Sequence, residues 1–175
     1  MLRSAFATIL TLSLFGAAPA SFAAQETQGA PSGLYPREVA AIRALEKVPL
    51  TTGSADRTEL FQWLAEEPDL RLSWCAGLLL EAKEAEGETG SAALIQAILS
   101  AGAAVIDYPE IEKDYLATAR AGIQGALRAY QATLKAEPKR RNSVLDDLLA
   151  RQAAGTLDEY IRPKLVECEQ APDPG

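Results

Sequence analysis

Between Pro36 and Cys168 apolar residues recur every three to four positions, the period of helices laid against a core. Val39, Ile42 and Leu45 mark a first helix from Pro36 to Lys47. Pro36 suits its first position, where a missing N–H costs nothing. Asp56 and Glu59 have capping-box spacing and open a short helix bearing Leu60, Phe61 and Leu64, which Pro68 ends. Leu70, Trp74, Cys75, Leu78, Leu79 and Ala82 predict a wide-striped third helix from about Asp69 to Glu86, with Leu72 and Leu80 on its flanks. Gly87 and Gly90 break it.

A fourth helix is predicted from Ser91 to Ile106, a stretch with no charged residue. Leu94, Ile95, Ile98 and Leu99 form its large face, and Ala93, Ala97, Ala101 and Ala104 a small one that admits a close neighbour. A helix apolar all round is a central core helix or a membrane segment, and this one is short for a span. The fifth is predicted from Pro109 to Ala136, with small residues (Ala119, Gly122, Ala126) between Tyr115 and Tyr130. Packing against a crossing helix offsets the cost of Gly122 and Gly125. A sixth opens at Ser143 and ends at Gly155. A last helix follows Thr156, with Pro163 expected to kink or restart it.

Strand-forming residues are few and Ala, Leu, Glu and Gln dominate, so the fold class is all-α. The expectation is a single-domain helical bundle of five to seven helices over residues 34–169, with helix 91–106 at its centre and no internal repeat.

The ends of the chain change this picture. Residues 1–24 combine one charge, Arg3, an apolar run and small residues around Pro19 and Ala23. That is the pattern of a cleaved secretory signal peptide, and it points to a periplasmic or secreted protein. Residues 25–33 read as a flexible lead-in and 170–175 as a disordered tail. The whole chain carries a net charge of −7; without the signal it has 16 basic and 24 acidic residues, a net −8. Such a balance speaks against nucleic acid or anionic lipid as partner.

The two cysteines, Cys75 and Cys168, are expected to pair in an oxidising compartment and close the bundle. There is no Cys-x-x-Cys, so the expected role is structural. The chain has no His at all. A Ser-His-Asp or Cys-His nucleophile and a His-ligated metal are thereby excluded. Two thiolates also cannot form a four-cysteine site. No metal and no cofactor are expected. Nor is there a phosphate-binding glycine loop or a Gly-x-Ser-x-Gly elbow.

The remaining candidates are surface features. Trp63 falls beside the apolar edge of its short helix, which suits a binding anchor. Lys139, Arg140 and Arg141, preceded by Lys135, form the one basic cluster. It reads as a solvated turn or as a grip for an acidic partner. Glu81, Glu84, Glu86 and Glu88 read as a solvated helix end. Glu110 and Asp114 would share a helical face, as first-turn acids or as a carboxylate pair. Tyr115, Tyr130, Tyr160 and Trp74 would pack the core or line an apolar groove.

The functional expectation is an exported, non-catalytic protein-interaction module whose partner is another envelope protein, one version being an inhibitor or immunity-type protein. In plan (signal, helices, disulfide) the chain is similar to small helical immunity proteins against secreted amidases, with a local likeness at Leu72-Ser73-Trp74-Cys75-Ala76. No functional residue is carried over from them. The alternatives are a binder of an apolar ligand or lipid around helix 91–106, and an enzyme using carboxylates alone. No membrane span is expected after signal cleavage.

Overall fold

The fixed φ of Pro36 starts α1 (Pro36–Leu45), and Tyr35 before it takes a left-handed conformation at φ 55°. The computed structural model describes residues 34–170 except Glu86, so the signal, the lead-in and residues 171–175 lie outside it. Six further helices follow: α2 (Ser54–Glu66), α3 (Gly77–Ala85), α4 (Gly87–Asp107), α5 (Tyr115–Ala136), α6 (Ser143–Ala154) and α7 (Leu157–Gln170). A single 3-10 turn, Pro109–Ile111, joins α4 to α5. Among the described residues there is no strand, and the fold is an all-α, single-domain bundle as expected.

α4 is the centre. It packs most extensively on α5 and also touches α1, α2 and α3. Its crossing with α5 is close because Gly122 and Gly125 lack side chains there. A Cβ on Gly122 would lie 2.6 Å from the Ala97 carbonyl oxygen, and one on Gly125 would lie 2.0 Å from Ser100 Oγ. Among the described residues, α4 is the one helix long and apolar enough to cross a membrane, but most of that stretch is buried inside the protein.

Two apolar clusters result. The larger takes Leu78, Leu79, Ala93, Ala97, Ile123, Leu127, Tyr130, Leu145, Leu148 and Ile161 from α3 to α7. A buried polar seam ties it together. Asn142 Nδ2 donates to the Ala82 carbonyl at 2.8 Å, and Asn142 Oδ1 accepts from the Leu145 N–H at the start of α6. Tyr130 accepts from the Asn142 N–H and donates to Asp146. Burial pushes the Tyr130 phenol up to about 12. The smaller cluster joins Val39, Ile42, Leu64, Leu99, Ala103 and Ile106, from α1, α2 and the C-terminal half of α4.

Cys75 and Cys168 are disulfide-bonded, holding α7 to the segment before α3. α7 is further tied by Tyr160 donating to the Leu78 carbonyl at 2.8 Å and by the Arg120 fork on Asp158 at 2.7 and 2.6 Å.

Four expectations need correction. The third helix begins at Gly77, not near Asp69. Residues 70–75 are not helical: Leu70, Leu72 and Trp74 are half-buried while Arg71 and Ser73 are exposed, an alternation with period two. This segment crosses from the smaller cluster, where Leu70 and Leu72 pack, to the larger, where Trp74 packs. Second, Gly90 does not break a helix. It sits inside α4, where a Cβ would lie 2.0 Å from the Ala82 carbonyl oxygen, so it lets α3 and α4 touch. Gly87, at φ 34°, makes the turn alone. Third, the fifth helix is not continuous from Pro109. Asp114 caps α5 by accepting from the Ala117 N–H at 3.0 Å, so Glu110 and Asp114 share no helical face. Fourth, α7 runs through Pro163 as one helix and does not restart there.

Candidate functional site: a groove between the first two helices

α1 and α2 run antiparallel. Tyr35, before α1, meets Trp63 late in α2, and Leu45 at the end of α1 meets Gly53 before α2. The inward edges of both helices are used up in the smaller cluster. The neighbouring edges face each other with small side chains on the α1 side. Ala41, Ala44 and Val48 are exposed there, opposite Leu60 and Asp56. They leave an open groove of about 380 Å³, with Leu45 and Leu60 as apolar floor. Alanines in a helix pair leave room where larger residues would interdigitate.

One end of the groove is polar, where Asp56 is exposed and Thr52 and Gly53 close the rim. Outside the groove's lining, the rings of Tyr35 and Trp63 meet edge-on, 5.3 Å apart at 65°. The neighbouring Glu67 carboxylate, with smaller contributions from burial and from Asp69 and Glu38, pushes the Tyr35 phenol up to about 12.

Beneath the groove lies a polar network. Arg57 on α2 is 1 % exposed, yet no carboxylate hydrogen-bonds it. Its Nε donates to Gln96 Oε1 at 2.8 Å, its Nη2 to the Leu45 carbonyl at 3.0 Å and its Nη1 to the Thr52 carbonyl. Burial lowers its pKa, opposed by the nearby Asp56 charge. Gln96 passes the network to Ser100 at 3.0 Å. Close by, buried Glu46 accepts from Arg43 at 2.8 Å and from both Arg128 donors at 3.0 and 2.7 Å, and Arg43 also reaches Asp107. These bonds anchor α1 and α2 to α4 and α5.

A second, smaller groove of about 230 Å³ lies over the disulfide, lined by Trp74, Tyr115, Leu165 and Cys168. Trp74 Nε1 is buried there without a hydrogen-bond acceptor.

The residues singled out from sequence fall in three places. Trp63 does not line the larger groove; it stands three residues beyond Leu60 on α2, half-buried against Tyr35. Cys75 and Cys168 form the disulfide. Lys139, Arg140 and Arg141 lie on the α5–α6 loop and are exposed, Arg140 paired with Glu137 and Glu88 and Arg141 with Asp146. Glu88 opens α4, whereas Leu64, next to Trp63, packs on Gly102 near its other end. Fourteen residues of helix separate those two points, about 21 Å, so Trp63 and the basic loop do not form one patch. Tyr130 is core. Tyr160 packs beside Arg151 and Lys164, and Tyr115 is exposed. Among the described residues, no group of acids and thiols is placed to hold a metal ion. Glu86 of the acidic stretch lies outside the described residues.

Sequence reasoning missed the groove itself. Its floor and walls are Ala41, Ala44, Val48 and Leu60, and alanine carries little weight in an apolar pattern. It also missed Arg57, which reads as a solvated charge on a short helix. Comparisons with family models, with curated proteins and with solved structures return no match.

Proposed function

We propose that this chain is an exported, non-catalytic protein-interaction module whose partner docks in the groove between α1 and α2. The observation that carries this reading is the open apolar groove, about 380 Å³, on the face of a six-residue core. A concave apolar surface is where a partner's side chains can be desolvated, which is how interface anchors gain affinity. The disulfide and the signal-like N-terminus support an oxidising compartment outside the cytoplasm. Most arginines of the described fold, Arg43, Arg120, Arg128 and Arg151 among them, are engaged in ion pairs within the fold, which suits a scaffold. A ligand pocket beside α4 has less support, since most of α4 is covered by its neighbours.

Site-specific photo-crosslinking tests the proposal. A benzophenone side chain at Ala44 is expected to trap one protein partner in the native envelope, while the same group at exposed Gln131 on α5 traps none. Equal trapping at both positions, or a lipid adduct at Ala44, counts against it. Export is checked separately by the mass of the protein recovered outside the cytoplasm, which should lack about two dozen N-terminal residues.

A further inference from the structure

We infer that the Cys75–Cys168 bridge is a site of thiol–disulfide exchange with a dithiol reductant, and that its reduction releases the end of α7 beyond Pro163 while the rest of the bundle stays folded. This goes beyond the docking reading and does not rest on it. Both half-cystines line the second groove, about 230 Å³ and open to the surface, so a thiol can approach them without the core opening. Cys168 is half-buried and Cys75 only 9 % exposed, which makes Cys168 Sγ the sulfur within reach. The bridge also sits at the start of α3. A Cβ on Gly77, the first residue of that helix, would lie 3.7 Å from either sulfur. The positive end of a helix stabilises a thiolate, and a stabilised thiolate leaves readily.

The hold on α7 changes at Pro163. Before it, the helix is fixed by buried Leu157 and Ile161, by Tyr160 on the Leu78 carbonyl and by the Arg120 fork on Asp158. After it, residues 164–170 include no fully buried residue. Leu165 and Cys168 rest against the large cluster only in part, Val166 is 49 % exposed, and Lys164 makes a surface ion pair with Glu81. Such a pair contributes little. Pro163 has no N–H to offer the Glu159 carbonyl, so the two parts of α7 lack that hydrogen bond between them. The disulfide is therefore the main tie on residues 164–170.

In the exchange, a reductant thiolate attacks Cys168 Sγ and forms a mixed disulfide with it. The Cys75–Cys168 bond breaks, and its electron pair goes to Cys75 Sγ beside α3. The second thiolate of the reductant then attacks its own sulfur in the mixed disulfide and expels Cys168 as a thiolate. The protein takes up two electrons and two protons, and the dithiol becomes a disulfide. With Leu165 and Cys168 withdrawn, the apolar wall at Trp74 and Tyr115 is uncovered.

The test follows backbone hydrogen exchange of the full-length oxidised protein before and after dithiothreitol in native buffer, with alkylation to count the thiols formed. Two thiols are expected without denaturant. Amides of residues 164–170 should then exchange as in an unstructured chain, while those of α5 and residues 157–162 stay protected about tenfold or more. The Cys75→Ser/Cys168→Ser variant should give the same pattern with no reductant. Reduced Pro163→Ala, which regains an N–H at an exposed position, should keep several-fold more protection in residues 164–170 than the reduced parent. A reduced Cys-x-x-Cys protein run in parallel separates the sources of the dithiol: reduction by both reagents supports exchange with proteins, and reduction by dithiothreitol alone supports exchange with small dithiols. Thiols that form only in denaturant overturn the inference. So does protection lost from α5 together with residues 164–170, or protection kept in residues 164–170 after reduction. Equal exchange in reduced Pro163→Ala and reduced parent overturns the division of α7 at that residue.

Discussion

Seventeen buried apolar residues form one continuous cluster around α5, whereas the cluster beneath α1 and α2 has six. The larger cluster is enclosed by five helices and a disulfide and is crossed by a bonded polar seam at Asn142 and Tyr130. The smaller one is walled by half-buried side chains, among them Tyr35, Phe61, Trp63, Leu70 and Leu72. Its helices are fastened instead through buried Arg57 and Glu46. Apolar burial is nondirectional and cooperative. Charge-assisted bonds fix position but contribute less net stability, because both partners lose water. The difference teaches where the fold is braced and where it is open: the large cluster sets the frame and the thin one leaves an apolar surface uncovered.

Removing the disulfide should produce the largest effect. Cys75 and Cys168 are 93 residues apart, and loop-closure entropy gives about 4–5 kcal/mol for a bridge of that span. The Cys75→Ser/Cys168→Ser double variant is expected to lose that much in urea unfolding. A loss under about 1 kcal/mol would mean the large cluster closes without its staple.

Cavity substitutions sharpen the contrast next. Leu148→Ala in the large cluster should cost about 4 kcal/mol, and Leu64→Ala, at the margin of the small one, about 2 kcal/mol. Equal losses would erase the distinction.

Arg57→Met strands the Leu45 and Thr52 carbonyls and Gln96 without their donor, for a cost of about 2 kcal/mol. Hydrogen exchange should place that loss in α1 and α2, with α5 and α6 still exchanging only through global unfolding.

The smallest effect concerns the Arg120–Asp158 pair between α5 and α7. The Arg120 guanidinium holds the Asp158 carboxyl below its ordinary value. A depressed carboxylate stabilises the fold above its unfolded pKa and loses that contribution as pH falls through the folded one. Asp158→Asn should therefore cost at most about 1 kcal/mol at neutral pH, and nothing near about pH 2, by thermal unfolding.

The larger cluster is also the part the sequence exposed best. Its helices carry Leu, Ile and Tyr at helical spacing, and Asn142, Gly155 and the two cysteines mark ends and closure. Residues 70–75 misled because two periods overlap there. Leu70, Leu72 and Trp74 alternate as an extended segment, while Trp74, Cys75, Leu78 and Leu79 continue at helical spacing into α3. A one-dimensional pattern has no means of saying where the first gives way to the second. Gly90 reads as a stop because its value lies in a contact with Ala82, eight residues back on the preceding helix, which a local pattern does not show. The groove was invisible for a related reason. It is a space left between alanines, and a periodic pattern registers what is buried, not what is missing. Of the residues proposed for recognition, Trp63 lies three residues along α2 from the groove's Leu60, and Lys139, Arg140 and Arg141 lie at the opposite end of α4.

The disulfide also gives the chain the topology of a lasso. Residues 75–168 form a covalent ring that contains nearly all of the large cluster, and residues 34–74, carrying the groove, are a tail laid across it. Leu50 buttons the tail to the ring, being buried in the large cluster with its N–H on Thr133 Oγ1. A protease cut anywhere in the ring leaves the molecule in one piece until it is reduced. A cut in the tail leaves its pieces held only by packing and by bonds such as those of Arg57 and Glu46. The proposed docking surface thus belongs to the part of the molecule that no covalent ring secures.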